Sequence, residues 1–241
     1  MNKILLVLGG SSDMGQALIR RIHSNYDKII VHYNKNSAAA EKLADELGDK
    51  ISTVGADLNI AEDRCHLINF LSEENNQPCH VVNMVSPKFV YTRADKDDPN
   101  VFRNMIESSL FAFTEIMRPI LKHMSKNRYG KIVIMLSAYT REFPPKYMSA
   151  YVTAKYALLG LMKSLAADYS GKGICVNGVS PDMTETKFLS EIPNAAIRMT
   201  ADRSVMGRLL SVDEVAPTFE FLLSDAADKI TGQNIFITGV K

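Results

Sequence analysis

The sequence contains no tryptophan and only three cysteines, and no apolar run in it is long enough to cross a bilayer. Cys65, Cys79 and Cys175 are odd in number and form no Cys-x-x-Cys pair. Cys65-His66 and Cys79-His80 are adjacent pairs, but zinc needs four convergent ligands at recognisable spacing, so no metal site is expected. The thiols read instead as small buried hydrophobes. An excess of one charge is missing too, with 28 Lys+Arg against 27 Asp+Glu. That balance argues against nucleic-acid and membrane-surface partners, which call for a clustered basic excess. A membrane-spanning helix takes about 20 apolar residues. The N-terminal run 4–8 is far shorter and passes straight into glycines, so it reads as a buried strand and not a signal segment. No membrane partner is expected, and a cytoplasmic location follows by default.

What is present suits one large domain over 1–241, since hydrophobic residues make up 46% of the chain. Short β-rich apolar runs at 4–8, 29–33, 51–56, 80–84, 131–136, 175–179 and 234–237 read as strands buried on both faces. Between them, helix-period segments fall at about 14–25, 37–48, 60–75, 100–127, 149–170 and 212–224. This alternation predicts an α/β fold with a parallel, doubly wound sheet. One stretch breaks the rhythm. From Pro181 to Met206 no strand is expected, yet Met183, Phe188, Leu189, Ile192, Ile197, Met199 and Met206 lie there. Its place after a strand end predicts a substrate lid at about 182–206. The alternative is a surface helical excursion packing those residues on the core.

Directly after the first strand comes Gly9-Gly10-Ser11-Ser12-Asp13-Met14-Gly15, opening a helix. Dinucleotide sites use such a turn because glycine permits positive φ and close backbone approach, and the free N–H groups of the helix face the pyrophosphate. Asp13 with Gln16 has the form of an N-capping box, with Ser11 and Ser12 left to offer hydroxyls to phosphates. Farther along, Tyr151 and Lys155 lie four apart in a helix-period segment and share a face. A free tyrosine titrates near about 10. A neighbouring ammonium, with the charge of an oxidised nicotinamide, is expected to lower that value toward the working pH.

The glycine turn, together with Asp57, Asn83, Ser137, Tyr151-Val152-Thr153-Ala154-Lys155, Asn177 and Pro181, resembles the short-chain dehydrogenase/reductases, over nearly the whole chain to Gly232-Gln233. In detail the likeness is to bacterial β-ketoacyl carrier-protein reductases and related cytosolic reductases. It implies a single-domain Rossmann fold, a seven-stranded parallel sheet in the order 3-2-1-4-5-6-7 with helices on both faces. Ser137, Tyr151 and Lys155 would be catalytic, with Ser137 and Tyr151 both donating to the substrate carbonyl oxygen. Ser109 falls where the family has an asparagine that steadies a water relay, so a slower or substituted relay is expected.

For the cofactor, the resemblance implies contacts from Gly9, Ser11, Ser12 and Met14 at the phosphates, and from Asp57 and Leu58 near the adenine. Asn83 would lie along the dinucleotide, Lys155 on the nicotinamide ribose, and Pro181, Thr184 and Thr186 over the nicotinamide and pyrophosphate. Pro181 is expected to turn the chain. At the end of the second strand Tyr33 stands where NAD-specific chains have an acid, followed by Asn34 and Lys35. No carboxylate there would repel a 2′-phosphate, so NADP(H) is expected over NAD(H). The chain departs from the family pattern at Asp13, Ser86, Asp182 and Ser109.

The expected activity is reduction of a ketone, such as a small-molecule or carrier-linked β-ketoacyl thioester, to a secondary alcohol, or the reverse. The alternative is a dinucleotide-binding regulatory or scaffold protein with weak or lost catalysis. The resemblance also implies a homotetramer or homodimer joined through the helices at about 100–127 and 149–170.

Overall fold

Five successive apolar residues with no polar alternation cannot form a half-exposed strand, and Ile4–Leu8 (β1) is buried throughout. A computed structural model describes residues 2–87, 90–141 and 143–239 of the chain. The other strands are Lys28–Tyr33 (β2), Ile51–Gly55 (β3), His80–Asn83 (β4), Gly130–Met135 (β5), Ile174–Pro181 (β6) and Asn234–Ile237 (β7). They form one seven-stranded sheet in the order β3-β2-β1-β4-β5-β6-β7, with parallel pairing throughout. The order reverses between β1 and β4, opening a crevice at the carboxyl ends of the strands.

Helices cover both faces. Asp13–Ile22 (α1), Ser37–Leu47 (α2) and Val212–Leu223 (α8) bury Leu18, Ile19, Leu43 and Phe219 against one side. Ala61–Ser72 (α3), Ala112–Asn127 (α5) and Ser149–Tyr169 (α6) bury Leu67, Phe113, Ile116 and Leu158 against the other. Two further helices, Pro99–Ile106 (α4) and Asn194–Arg203 (α7), complete the set described. No helix among the described residues is long and apolar enough to cross a membrane.

Two local expectations are corrected. The continuous helix expected over 100–127 is broken by a π turn at Glu107–Phe111, where the Ala112 N–H reaches back five residues to Glu107. Ser108 Oγ bonds back to the Asn104 carbonyl at 2.8 Å, a serine habit that bends helices and here accompanies the wider turn. Pro181 does not turn the chain. It remains in β6, opposite Ile237, and the bend comes at Met183, whose N–H donates to Asp182 Oδ1 at 2.9 Å. Residues 182–206 contain a short 3-10 helix, Lys187–Glu191, and then α7.

Candidate active site

β5 and β6 end side by side, and the segments leaving their carboxyl ends wall a cavity of about 370 Å3 with the glycine turn on its opposite side. Ser137 comes two residues after β5, while α6 carries Tyr151 and Lys155 in its first two turns. Four residues is about one helical turn, so both side chains line the same wall. The Tyr151 hydroxyl is hydrogen-bonded to the Ser137 side chain. Lys155 Nζ lies 5.6 Å from the centre of the Tyr151 ring and donates to the Met135 carbonyl at 2.9 Å. A second tie holds the serine in place, since its Oγ also accepts from the Tyr139 N–H at 3.3 Å.

Burial governs the titration of both groups. It pushes the Tyr151 phenol up to about 12, opposed only by the Ser137 hydrogen bond. It pulls the Lys155 ammonium down to about 8. The lowered tyrosine value expected from the lysine's proximity is therefore absent in the protein alone. Desolvation disfavours phenolate more than the distant ammonium favours it. Tyr151 is thus protonated at rest.

The glycine turn departs from its expected cap. Ser12, and not Asp13, caps α1: its backbone is extended and its Oγ accepts from the Gly15 N–H at 3.1 Å. Gln16 Nε2 donates to the Ser11 carbonyl instead of reaching back to complete a box. This frees the Asp13 carboxylate, which accepts the Lys187 N–H at 2.7 Å and ties the turn to the 182–206 segment. Gly9 takes φ +76, and a Cβ there would press on the Met84 carbonyl at 3.2 Å. A residue not assigned from sequence fixes this glycine. His32 Nδ1 accepts the Gly9 N–H at 3.1 Å and its Nε2 lies 3.0 Å from the Ala56 carbonyl.

These residues fit a dinucleotide. The α1 N-terminus opens on the cavity with Ser11, Ser12 and Met14 in its lining, and Thr184 and Thr186 face them. Pro181 is in the same lining. Asn83 is buried at the end of β4; its Oδ1 accepts from Val85 N–H, while its Nδ2 has no partner. Tyr33 lies against Gly55 at the end of β2, and Asn34 and Lys35 are exposed beside it. Asp57 accepts the Asn59 N–H at 3.0 Å, and Leu58 is buried behind it.

Ser109 is buried in the π turn and does not line the cavity. Sequence reasoning also passed over Met84, Met135, Tyr139 and Met148, which line the cavity together with Asn36, Leu136 and Lys187. Their only signal is that they end or follow a strand or precede α6. Of the apolar residues at 183–206, Met183, Phe188, Leu189 and Ile192 line the cavity, whereas Met199 and Met206 are exposed. Among the described residues there is no group of three or more metal-ligating side chains.

A family model described as enoyl-(acyl carrier protein) reductase matches residues 9–239. An oxidoreductase of Bacillus subtilis, YmfI, is 28% identical over 243 residues, covering 99% of this chain and 98% of that protein. The 3-oxoacyl-[acyl-carrier-protein] reductase FabG of Pseudomonas aeruginosa is 25% identical over 242 residues, covering 98% and 96%. Among solved structures, ElxO with NADP bound superimposes with a TM-score of 0.86 at 24% identity, over 98% of this chain and 97% of that one.

Proposed function

The chain belongs to the short-chain dehydrogenase/reductase family and is an oxidoreductase, and from that premise we propose that it reduces a ketone with NADPH, Tyr151 giving the proton. The observation that carries this reading is the Ser137–Tyr151 hydrogen bond beside Lys155 in one buried wall. A reduced nicotinamide, when bound, supplies the hydride. Tyr151 is held protonated by burial and stands ready to donate to the carbonyl oxygen. Ser137 offers a second hydroxyl to the same oxygen, so the negative charge that grows there meets two donors. Lys155, buried and fixed on Met135, is placed to hold the ribose hydroxyls and to favour phenolate once the proton has left.

Gly9, Ser11, Ser12, Met14, Thr184 and Thr186 would hold the phosphates, with Asn83, Asp57 and Leu58 along the adenosine half. No carboxylate stands at 33–36, and exposed Lys35 is free to meet a 2′-phosphate, which favours NADP(H) over NAD(H). The names of the curated relatives support a carbonyl of the β-ketoacyl type. Segment 182–206 acts as the lid over this site, its apolar side chains excluding water from the reacting centre.

The test is NADPH oxidation with a panel of β-ketoacyl N-acetylcysteamine thioesters and diketones. Tyr151→Phe is expected to lower kcat by about 10²–10⁴-fold, the usual contribution of a positioned acid. Cofactor binding without turnover across the panel, unchanged by that substitution, would instead make the chain a dinucleotide-binding regulator.

A further inference from the structure

Four buried side-chain polar atoms among the described residues have no hydrogen-bond partner: Asn83 Nδ2, Ser86 Oγ, Asp97 Oδ1 and Tyr139 Oη. Native proteins seldom leave such atoms unsatisfied, because each forfeits its bond to water and gains none in return. Asn83 ends β4 and is already given to the dinucleotide, Ser86 follows it three residues on at the glycine turn's side of the lining, and Asp97 lies outside the cavity lining. Tyr139 is left. Its side chain lines the cavity and packs in the same apolar cluster as Met148, Tyr151, Met183 and Ile192. Its backbone is the one tied to Ser137 Oγ, so its place is fixed relative to the proposed proton donors.

We propose that Tyr139 is a second polar contact for the substrate, so that the preferred ketone carries an uncharged oxygen close to its reacting carbonyl. This rests on the ketone-reducing reading above and deepens it. The phenol acts as a donor, since burial first, then the charge of Asp182, raises its titration well above the ordinary value for tyrosine. A ligand oxygen that accepts from it supplies the missing bond. The rest of that cluster is apolar apart from the Tyr91 and Tyr151 hydroxyls, so a simple ketone of equal size gains nothing there. Asp182, which also lines the cavity, disfavours a second group that is an ionised carboxylate. Of the two lysines in the lining, Lys155 is engaged with Met135 and Lys187 is exposed. The class favoured is therefore a neutral ketone with a neighbouring ketone, thioester or hydroxyl oxygen.

Tyr139→Phe removes the one oxygen and keeps the ring. In the full chain with NADPH, kcat/KM for 2,4-pentanedione is expected to fall about tenfold, the effect of one neutral hydrogen bond. That for 2-pentanone should change less than about twofold on the same reasoning. The NADPH dissociation constant, measured by nucleotide fluorescence, should not change. The melting temperature of the cofactor-free variant should hold or rise, because an unsatisfied hydroxyl is gone. An equal loss on both substrates, or a lower melting temperature, overturns the proposal. If the wild-type chain turns over neither these ketones nor the thioester panel, the functional reading fails by itself. Binding of 2,4-pentanediol against 2-pentanol to the NADP+ complex then decides Tyr139, weaker diol binding in the variant supporting its role and unchanged binding rejecting it.

Discussion

A histidine 2% exposed in the middle of a parallel sheet must be neutral or paired, and His32 is neutral by construction. Its Nδ1 takes the Gly9 N–H, which leaves the proton on Nε2, facing the Ala56 carbonyl. Desolvation, the largest influence, lowers its pKa from 6.5 to about 4. Because the folded value is depressed, the unfolded chain binds the extra proton between those two values. Stability from this group is full above 6.5 and is lost as pH falls toward 4. Its slope is about 1.4 kcal/mol per pH unit within that window. Urea unfolding of wild type and His32→Asn from about pH 4 to pH 8 would read it. The variant is expected to lose about 1–3 kcal/mol near neutral pH, because at least the Ala56 carbonyl loses its buried partner. Its pH slope should also be shallower, and parallel curves would show that His32 does not titrate this way. A lone histidine in an apolar strand gives no hint of such a task, since its partners, 23 and 24 residues away, meet it only through sheet pairing. Tyr151 and Lys155 are legible because their spacing is a helical turn, a relation the chain states locally.

Elements are legible where a single period runs without interruption. β1 and β7 have the expected bounds, and α2, α6 and α8 lie within a residue of theirs. Legibility ends where one side chain redirects the backbone, as at the π turn, or where a cap has two candidates, as at Ser12 and Asp13. The second case has a consequence for the segment 182–206. Asp13 begins α1, where its charge is favoured by the helix dipole, and it also holds the Lys187 N–H. Segment 182–206 is thus fastened to the turn that would receive the pyrophosphate. Asp13→Ala removes that fastening, whereas Asp13→Asn keeps an acceptor for Lys187. Hydrogen exchange across 187–203 is expected to quicken roughly fivefold in the alanine variant and little in the asparagine variant, an exposed hydrogen bond being worth about 1 kcal/mol. Equal exchange in all three proteins would mean the segment is held by Phe188, Leu189 and Ile192 alone.

On the scale of the whole molecule, strand order comes from family resemblance and not from periodicity, which gives alternation but no neighbours. The sheet bears the expected order out, and the crevice at the β1–β4 reversal receives the site. What the chain says least about is its outer face. Phe111 closes the π turn and is 51% exposed, and Tyr156 on the adjoining α6 is 46% exposed. Large exposed aromatics are poor surface residues for a monomer and enriched in subunit contacts. The resemblance expects association through these same helices, which favours a dimer or tetramer. In such a closed symmetric contact every substitution acts on both sides of the interface. Phe111→Glu with Tyr156→Glu therefore buries like charges against each other, and sedimentation velocity should show the assembly reduced to monomer. Because neither residue lines the cavity, NADPH binding should survive the change. A wild-type chain that sediments as a monomer at micromolar concentration would remove this role from the two aromatics, and an assembly that resists the double substitution would place the interface elsewhere.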